Sequence, residues 1–582
     1  MQDLLKLRSS SGPAAFAPMV LAAVTLVTLA WPVAGCSVFF PSAPDPPKPP
    51  SDAHVILLNS IGFLPDAAKQ ATVLAPGGAT LEIHHAADGS LAWTGDMPVA
   101  ITDDLTGDPL FRADFSAFTD VGEFYLEVPG LGKSATFKIS PDVYNDLLNR
   151  SMMGMYGQRC GTAVSLTLNG ETWSHPACHL KDGSLKYLTG VDEVRASTGG
   201  WHDAGDYGKY TTNGAFSAGM MLAAWEQFQP ALTNLALPIP EQGGAIPDFL
   251  DEVKWEVDWL LTLPSPDGGV PHKLTALAFE GFLMPEDDAS PRYFTLVGTA
   301  ATADFVAVTA AAARIYRPYD ATFADTCLAA ARLSYGYLQS NTGPAVPDTS
   351  AFGTGGYGDR IDADERVWAA AELWETTGEA AFLSDFETRA ANATVDANFD
   401  WQNVGNLGLF RYLLSKREGR NPDLVSKLQA SLIKSANDLR TRAGASSWGR
   451  AISYWWGANG AVARTAMNLA TANALSPDSK YRDAIVSALD HLLGRNHYDR
   501  SQVTMVGYYP PLHPHHRPSA ADRLADPWPG LLVGGQDCPS GAANCASAPK
   551  YDWDDVQAAA NLNEIAINWN GALVYAAAAL AH

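Results

Sequence analysis

Helical periodicity dominates the chain from residue 141 onward. Segments such as "IPDFLDEVKWEVDWLL", "TAATADFVAVTAAAARIY" and "NEIAINWNGALVYAAAAL" repeat apolar residues at i, i+3 and i+4, which places them on one face of an α-helix. Long loops rich in Gly and Pro separate these segments. The pattern predicts a large all-α domain whose long loops are the segments where a functional site is built. Periodicity alone leaves two arrangements open, a helical solenoid and a closed helical barrel.

Residues 54–140 carry a different pattern. Short apolar stretches such as "HVILL", "EFYLEV" and "SATFKIS" alternate with turn sequences such as "APGG", "ADGS" and "PGLG". Short strands at this spacing are typical of a small β-sandwich of immunoglobulin type. The predicted fold is therefore multidomain, with an all-β immunoglobulin-like sandwich at residues 54–140 followed by an all-α domain at residues 141–582.

Residues 1–36 have the layout of a secretory signal peptide, in which basic residues precede an apolar run of small residues. The run is long enough to span a bilayer, so a transmembrane anchor is the alternative. It ends in "VAGC", which resembles the lipobox of bacterial lipoproteins, where Cys36 would become the lipidated N-terminus. Residues 37–53 are a Pro-rich linker that would hold a domain away from this anchor.

The formal net charge of −24 narrows the possible ligands. A nucleic-acid-binding protein needs a basic surface, so we expect no nucleic-acid partner. An acidic surface suits an exported protein whose ligand is neutral or cationic. The chain also has 16 Trp residues, a high number, and flat aromatic rings stack well on sugar rings as well as filling cores.

The sequence "GGWHDAGDYGKY" at residues 199–210 combines functional groups with residues that disfavour helices and strands. Asp203 and Asp206 are three residues apart, and two carboxylates on one loop can hold a water molecule while one acts as a general base. Simple turn chemistry is the alternative, because Asp and Gly commonly bend chains. Trp201 and Tyr207 favour a site, since aromatic walls beside paired acids suit the cleavage of a sugar.

Glycoside hydrolysis usually needs a second carboxylate, remote in sequence, that protonates the leaving oxygen. Glu564 opens the apolar helix of "NEIAINWNGALV" and is the candidate, although a favourable interaction with the helix dipole also explains an acid there. His515 and Arg517 lie in the Pro-rich segment "SQVTMVGYYPPLHPHHRPS" and offer donors to sugar hydroxyls or to a carboxylate. A metal site is the competing interpretation of this His-rich segment, but its spacing matches no strong zinc pattern.

Together these motifs resemble glycoside hydrolase family 9, the inverting cellulases with an (α/α)6 barrel. The resemblance runs from about Tyr144 to the C-terminus, and the β segment is similar to the N-terminal immunoglobulin-like domain of one branch of that family. The segments "YGQRCG", "GGWHDAGDYGKY", "YWWGAN" and "PWPGLLVGG" follow one another in the family's order. One departure lies beside the acid, because Ala560 occupies a position that usually carries an aromatic residue.

The resemblance implies a role for each site residue. Asp206 would be the general base that activates water, Asp203 would help to hold that water, and Glu564 would be the general acid. Asp555 matches an acid that helps to orient the substrate and tune the site. The implied substrate-binding residues are His515 and Arg517, together with the aromatic residues Trp201, Tyr207, Trp455 and Trp456.

Two metal sites are expected. Two thiolates and two imidazoles can hold zinc tetrahedrally, and the resemblance implies a structural zinc at matching positions, although a Cys160–Cys178 disulfide is a reasonable alternative in an exported protein. The predicted zinc ligands are Cys160, Cys178, His179 and His202. The other cysteines have simpler explanations, namely a disulfide between Cys538 and Cys545 and burial of Cys327 in an Ala-rich helix.

The segment "YGDRIDADE" crowds four acids into seven residues, which favours binding of a hard cation such as calcium. The alternative is a solvated helix start, and the pattern is not that of an EF-hand loop. The resemblance implies calcium with the ligands Asp359, Asp364, Glu365 and Asp400.

The sequence therefore predicts an exported, lipid-anchored, monomeric enzyme that hydrolyses β-1,4-glucan by inversion and cleaves within the chain. The alternative within the same chemistry is an exo-acting glycosidase on cello-oligosaccharides or chito-oligosaccharides. The alternative from another class is a surface lipoprotein that binds glycans without cleaving them.

Overall fold

Two antiparallel sheets form the first part of the fold. The computed structural model describes residues 54–74, 80–96, 100–103, 107–537 and 553–582. One sheet has the order β1-β2-β6-β5, and the other has the order β4-β3-β7-β8, with β9 also paired to β7. Phe63, Phe115, Phe124 and Phe137 pack between the sheets. The strands are β1 (Ile56–Leu57), β2 (Gln70–Val73), β3 (Thr80–His85), β4 (Leu91–Asp96), β5 (Ala100–Thr102), β6 (Pro109–Asp114), β7 (Gly122–Val128), β8 (Gly132–Lys133) and β9 (Phe137–Ile139).

Helices follow from Asn145 onward. Those longer than eight residues are α1 (Asn145–Gly157), α3 (Thr211–Leu232), α4 (Asp248–Leu260), α5 (Thr299–Ile315), α6 (Ala321–Ser340), α7 (Ala363–Thr377), α8 (Ala380–Ala390), α9 (Gly405–Leu414), α10 (Pro422–Ala445), α11 (Ala458–Leu475), α12 (Ser479–Leu492) and α15 (Ile567–Ala578). Short helices lie in the loops, namely α2 (Lys186–Thr189), α13 (Arg517–Ala521), α14 (Ala560–Asn563) and a 3-10 turn at Pro285–Asp287.

The helices form two concentric rings. In the part of the chain that the structure describes, α3, α5, α7, α9, α11 and α15 each pack against the next, and α15 closes the inner ring against α3. Helices α4, α6, α8, α10, α12 and α1 cover this ring from outside. The inner helices are buried nearly all round: every residue of α15 is buried, whereas α10 buries one stripe. The arrangement is an (α/α)6 barrel, and the predicted fold class is confirmed.

The direction of the inner helices determines at which end of the barrel the long loops gather. Each inner helix from α3 to α11 is followed by an outer helix that returns along the barrel, and α15 follows the outer helix α12. The inner helices are therefore parallel, and their N-termini lie at one end. The long loops precede the inner helices and therefore gather at that end. This explains how residues distant in sequence, such as Asp206 and Glu564, can come together.

The helical part also contains strands, which the all-α prediction did not include. Strands β10 (Val164–Leu168) and β11 (Glu171–His175) form a hairpin. Strands β12 (Lys209–Tyr210), β13 (Lys273–Thr275) and β14 (Tyr293–Phe294) form a small antiparallel sheet. Strand β12 is the end of the "GGWHDAGDYGKY" motif, so pairing with β13 holds that motif in place before α3 begins.

The sandwich packs directly on the barrel. Trp448 is fully buried against Leu57 and Leu110. Asn59 donates from Nδ2 to Oδ1 of Asp490 at 2.9 Å, a buried hydrogen bond between the two domains. These contacts make the two parts one packed unit rather than domains on a free linker.

Some sequence-based predictions lie outside the described residues, namely the signal peptide, the lipidated Cys36, the Pro-rich linker and the Cys538–Cys545 disulfide. Among the described residues, no helix has both the length and the apolar character needed to cross a membrane. Cys327 is a free, buried cysteine within α6, as the sequence predicts.

Candidate active site

A cleft of about 660 Å³ lies at the N-terminal end of the inner ring. Every loop that leads into an inner helix contributes to it. In the order α3, α5, α7, α9, α11 and α15, these loops supply Asp206, Phe279, Tyr357, Trp401, Trp456 and Glu564. The cleft therefore crosses the face of the barrel, with carboxylates and aromatic rings on its walls.

The motif at residues 199–210, called the base motif from here on, is held by helix α4 and by a close backbone contact. Trp201 donates from its backbone N–H to Glu256 at 2.7 Å and from Nε1 to Glu252 at 2.8 Å. Gly205 has to be glycine, because a Cβ there would lie 2.1 Å from the carbonyl oxygen of His515. The loop that carries Asp206 thus lies against the loop that carries His515.

Both oxygens of Asp203 accept hydrogen bonds. Asn213 donates from Nδ2 to Oδ1 at 2.7 Å, and the Tyr357 hydroxyl donates to Oδ2 at 2.6 Å. Burial, and then repulsion by Asp206, raise the pKa of Asp203 to about 8. Tyr357 has a φ of +43°, and the glycine-rich loop at residues 353–358 holds it in this strained conformation.

Asp206 keeps one carboxylate oxygen available to the cleft. Its Oδ2 accepts from the Gly208 backbone N–H at 3.0 Å and from the Tyr210 hydroxyl at 3.2 Å. Among the described residues, none donates a hydrogen bond to its Oδ1. The side chain lines the cleft. Of the two aspartates, Asp206 is the one whose geometry suits a base that contacts a water molecule.

Backbone bridges fasten Glu564 to the base motif. Ile567 donates its N–H to the carbonyl of Asp203 at 2.9 Å, Ala566 forms an antiparallel bridge with Ala204, and Glu564 itself forms a parallel bridge with His515. Burial, and then repulsion by Asp206 and Asp203, raise the pKa of Glu564 to about 8. This carboxyl group therefore favours its protonated form at neutral pH.

His515 and Arg517 both line the cleft. His515 donates a hydrogen bond from Nδ1 to the carbonyl of Gln557 at 2.7 Å. Arg517 forms an ion pair with Glu280, Nε to Oε1 at 2.7 Å. Their donors are thus positioned by neighbouring groups beside Glu564.

Asp555 lies behind the cleft wall rather than on it. Its carboxylate accepts from the backbone N–H groups of Leu512 and His513 at 2.7 Å and 2.9 Å, and from Asn563 at 3.0 Å. It also forms an ion pair with Arg500 at 3.4 Å. Asp555 therefore shapes the loop that carries His515, and its effect on the substrate is indirect.

Three aromatic predictions are wrong. Trp201 and Tyr207 are only 1% and 2% exposed, so neither ring can stack on a glycan; the Tyr207 hydroxyl donates to the carbonyl of Leu283. Trp455 packs against the barrel core and does not line the cleft, whereas Trp456 lines it and is 51% exposed. Sequence reasoning missed the other aromatic residues of the cleft, namely Tyr210, Phe279, Tyr357, Trp401 and Trp569.

The four residues predicted to bind zinc lie together and are buried. His202 Nε2 lies 3.3 Å from His179 Nδ1 and 3.8 Å from Cys178 Sγ, and Cys160 Sγ lies 3.7 Å from His179 Nδ1. Tetrahedral zinc with Zn–N near 2.0 Å and Zn–S near 2.3 Å places ligand atoms roughly 3.3–3.8 Å apart. The two cysteines are free thiols, so the alternative disulfide is not formed.

The predicted calcium ligands are only partly together. Asp359, Asp364 and Glu365 have buried carboxylate oxygens without a hydrogen-bond partner among the described residues, and so does Asp304 of α5. Burial, and then mutual repulsion, raise the pKa of Asp304 and Glu365 well above normal. The prediction for Asp400 is wrong.

Asp400 belongs to the cleft rather than to the acidic cluster. It lines the cleft, where its Oδ2 accepts from Arg464 at 2.7 Å and its Oδ1 accepts from Asn568 at 3.2 Å. Because an ion pair and an amide already occupy its oxygens, it is unsuited to bind a cation with the other acids. Asp304 is the fourth acid instead. Its signal in the sequence is a lone acid within the apolar segment "TAATADFVAV".

One cleft thus holds a carboxylate with a free oxygen, Asp206, and a buried carboxyl group with a raised pKa, Glu564, beside aromatic walls, which is the arrangement that a glycoside hydrolase needs. Comparison with known proteins gives the family. The model described as glycosyl hydrolase family 9 matches residues 144–577, and the model described as cellulase N-terminal ig-like domain matches residues 51–133. The chain belongs to glycosyl hydrolase family 9, as the sequence motifs predict.

Individual relatives agree. Endoglucanase D of Acetivibrio thermocellus is 47% identical over 529 residues, which cover 90% of this chain and 83% of that protein. The cellodextrinase of Butyrivibrio fibrisolvens is 33% identical over 553 residues, which cover 90% of this chain and 98% of that protein.

Solved structures share the fold. A metagenome-derived family 9 endoglucanase superposes with a TM-score of 0.83 at 38% identity, covering 90% of this chain and 98% of that one. A Zn-binding triple mutant of the family 9 endoglucanase J30 superposes with a TM-score of 0.83 at 29% identity, covering 89% of this chain and 99% of that one.

The contact at Gly205 yields a test. In Gly205→Ala the new Cβ has to displace the His515 carbonyl, and a shift of 1 Å in a catalytic group costs about 100-fold in rate. We therefore expect about 100-fold slower release of reducing sugar from a soluble β-1,4-glucan. Gly336→Ala, in the outer helix α6, is the control, because its Cβ would meet nothing within 4 Å and it does not line the cleft. Equal rates in the two variants would contradict the role given to this contact.

Proposed function

We propose that this enzyme is an inverting endo-β-1,4-glucanase, with Asp206 as the general base and Glu564 as the general acid. The observation that carries the proposal is the pairing of these two carboxylates in one aromatic-walled cleft, with different environments. The names of the relatives agree, since several are endoglucanases.

The two carboxylates divide the chemistry. Asp206 uses its free oxygen to take a proton from a water molecule, whose oxygen attacks the anomeric carbon from the face opposite the leaving group. Glu564 donates its proton to the departing glycosidic oxygen as the bond breaks. Direct attack by water inverts the configuration at the anomeric carbon. The raised pKa of Glu564 supports this role, because an acid must hold its proton until the leaving oxygen needs it.

Asp203 supports the base without replacing it. Asn213 and Tyr357 occupy both of its oxygens. The two carboxylates are close enough that ionising both is unfavourable, and the raised pKa of Asp203 favours its protonated form. Asp206, which keeps one oxygen free toward the cleft, is then the carboxylate that activates water.

The course of the cleft favours cleavage within a chain. The loops before α5 and α11 lie across the inner ring from each other, and each presents a half-exposed aromatic ring, Phe279 and Trp456. A glycan that stacks at both positions would pass Asp206 and Glu564 between them. Both rings are 51% exposed, so the described residues leave each of these positions accessible, which suits a polymer.

We propose a structural zinc ion held by Cys160, Cys178, His179 and His202. The spacing of their ligand atoms fits tetrahedral zinc, and Asp288 accepts from the second ring nitrogen of His179 at 3.2 Å, the usual partner of a zinc-bound imidazole. The ion would tie the connection after α1 at Cys160 and the loop after β11 at Cys178 to His202, next to Asp203. Its contribution is to hold the base motif.

We propose a calcium ion held by Asp304, Asp359, Asp364 and Glu365. Buried carboxylates without partners are costly, and a hard divalent cation removes both the repulsion and the unmet hydrogen-bonding capacity. The ion would fasten the loop after Tyr357 to α5 and α7.

We also propose export and lipid anchoring at Cys36. The lipobox-like sequence "VAGC" supports this, and so does the substrate, because a polymer has to be cleaved outside the cell.

The first prediction from this proposal concerns the two carboxylates. Glu564→Gln and Asp206→Asn should each slow hydrolysis of carboxymethylcellulose and cellopentaose by about 100- to 10,000-fold, the usual contribution of general acid or base catalysis. The wild type should lower viscosity quickly relative to reducing-sugar release, and proton NMR should detect the α-anomer first. Glu418→Gln, at the exposed surface, is the control.

Other outcomes would change the assignment. Cleavage of cellopentaose with no loss of viscosity in the polymer would indicate an exo-acting enzyme. Binding without cleavage of either substrate would indicate a glycan-binding protein. A β-anomer as first product would exclude inversion.

The second prediction is a pH dependence. Glu564 is active in its protonated form, which is lost as the pH rises through its pKa of about 8, so kcat on cello-oligosaccharides should fall above this pH. A 2,4-dinitrophenyl cellobioside needs no proton on its leaving group and should keep its rate there. Loss of both rates together would point to another group or to unfolding.

The third prediction concerns zinc. Cys160→Ser should remove most bound zinc, measured by elemental analysis, and should lower the Tm, because the site ties the base motif together. Cys327→Ser is the matched control, since Cys327 is also a free, buried thiol but lies outside the cluster. Equal zinc content in both variants would exclude the site.

A further inference from the structure

A second cavity lies where the sandwich meets the barrel, away from the cleft. Its volume is about 380 Å³, and sites for small molecules occupy roughly 300–1,000 Å³. Strands β2 and β6 of the sandwich contribute Gln70 and Arg112, while helices α10 and α12 of the barrel contribute residues such as Gly444 and Ser487. None of the residues that line this cavity lines the cleft. We call it the interdomain cavity.

Basic side chains outnumber acidic ones on its walls, although the whole chain has a net charge of −24. Both acids already accept hydrogen bonds within the fold. Asp483 accepts from the Ala68 N–H at 3.1 Å, and Asp490 accepts from Asn59 at 2.9 Å. The walls therefore carry an excess of two positive charges. The charged lining residues are Arg112, Arg440, Lys480 and Arg495, with Asp483 and Asp490.

Arg495 is the most deeply buried of these basic residues, with 1% of its surface exposed. Its guanidinium donates to neutral partners, Oε1 of Gln70 at 3.0 Å and Oγ of Ser487 at 2.7 Å. The carboxylate of Asp490 is 3.8 Å away, which is too far for a hydrogen bond. Its Nε has no hydrogen-bond partner among the described residues. The cavity wall thus contains a buried cation with an unused donor.

The fold does not compensate the charge of Arg495. Burial lowers the pKa of its guanidinium, and Asp490 offsets only part of this effect. The neighbouring guanidinium of Arg112 lowers that pKa further. In Arg159, which is also buried, Glu252 and a second glutamate more than offset the effect of burial, and the pKa is raised. An anion in the interdomain cavity would supply for Arg495 what the glutamates supply for Arg159.

We propose that the interdomain cavity binds a small phosphate-type oxyanion. A phosphate group carries a charge of about −1.5 to −2 at pH 7, which matches the excess of two positive charges on the walls. Guanidinium donors fit its oxygens in pairs, and a lysine adds a point charge. The volume accommodates free phosphate or a phosphate group on a small organic molecule. The proposal is independent of the assigned glucanase activity.

A bound anion would link the two domains. Arg112 of the sandwich already donates to the carbonyl oxygens of Gly444 and Ser446, at 2.8 Å and 2.6 Å, where α10 ends. Arg440 and Lys480 project from the barrel into the same cavity. An oxyanion between these groups would be held from both sides, so its binding should raise the Tm.

Calorimetry with inorganic phosphate and with glucose 6-phosphate, at an ionic strength kept constant with NaCl, tests the site. The variant carries Arg440→Gln and Lys480→Gln, because Arg440 is partly exposed and Lys480 is exposed, so the fold does not depend on them. We expect the Kd to weaken about 10-fold, since hydrogen bonds to a charged group are lost. The rise of Tm in phosphate should shrink accordingly.

Two further variants separate the site from the general charge of the protein. Lys427→Gln with Lys434→Gln makes the same change of charge on the exposed face of α10, outside the cavity, and should leave the Kd unchanged. Arg495→Met removes the buried guanidinium and should abolish binding. The Arg440 and Lys480 variant decides the test on its own when Arg495→Met does not fold.

Each outcome bears on the proposal. Equal weakening in the cavity variant and in the Lys427 and Lys434 variant would overturn it, because binding would then follow overall charge. Absence of binding to both anions by the wild type would also overturn it. Tighter binding of glucose 6-phosphate than of phosphate would support the site and identify an organic phosphate as its ligand, whereas equal or weaker binding would identify free phosphate. Hydrolysis of glucans is measured separately and decides only the proposed function.

Discussion

The site depends on one constraint, the backbone contact between the segment before α15 and the base motif before α3. Ala566 forms a β-bridge with Ala204, and the Ile567 N–H donates to the carbonyl of Asp203. The carbonyl of His515 lies so close to Gly205 that a Cβ there would collide with it. Main-chain hydrogen bonds fix positions better than long side chains can, because they lose less conformational freedom. Glu564 and Asp206 are therefore placed by the closure of the helical ring itself, since α3 and α15 are the neighbours that complete it.

Around that contact, the carboxylates of the site differ in burial and in the hydrogen bonds that they accept. Asp203 and Asp206 are neighbours in one motif, yet one carboxylate has both oxygens occupied and the other has one oxygen facing the cleft. Burial raises the pKa of Asp203 and of Glu564, and each added carboxylate raises it further. Different roles for chemically equal groups thus follow from which hydrogen bonds each receives. The proposed zinc and calcium sites lie on the loops that supply those bonds.

Local sequence patterns predicted the elements and the order of the two domains, and they singled out two carboxylates, Asp206 and Glu564, that the structure brings into one cleft, because helical periodicity, strand alternation and a motif are all visible within a few residues. They did not predict exposure. Trp201 and Trp456 are the same residue type, yet one is buried by α4 and the other stands in the cleft. Asp304 takes the place that was predicted for Asp400 for a similar reason, because only the packing of α5 against α7 brings Asp304 to the acidic cluster. Such contacts join residues far apart in sequence.

The parallel inner helices have an electrostatic consequence. In the region the structure describes, all of them begin at the cleft, so the unpaired N–H groups and the positive ends of their macrodipoles point toward the substrate. Each end is equivalent to roughly half a positive charge. A chain with a net charge of −24 thereby gathers fixed positive potential around the carboxylates of its cleft. Unlike the charge of a lysine, this potential belongs to the peptide backbone, and no change of pH can remove it while the barrel stays folded.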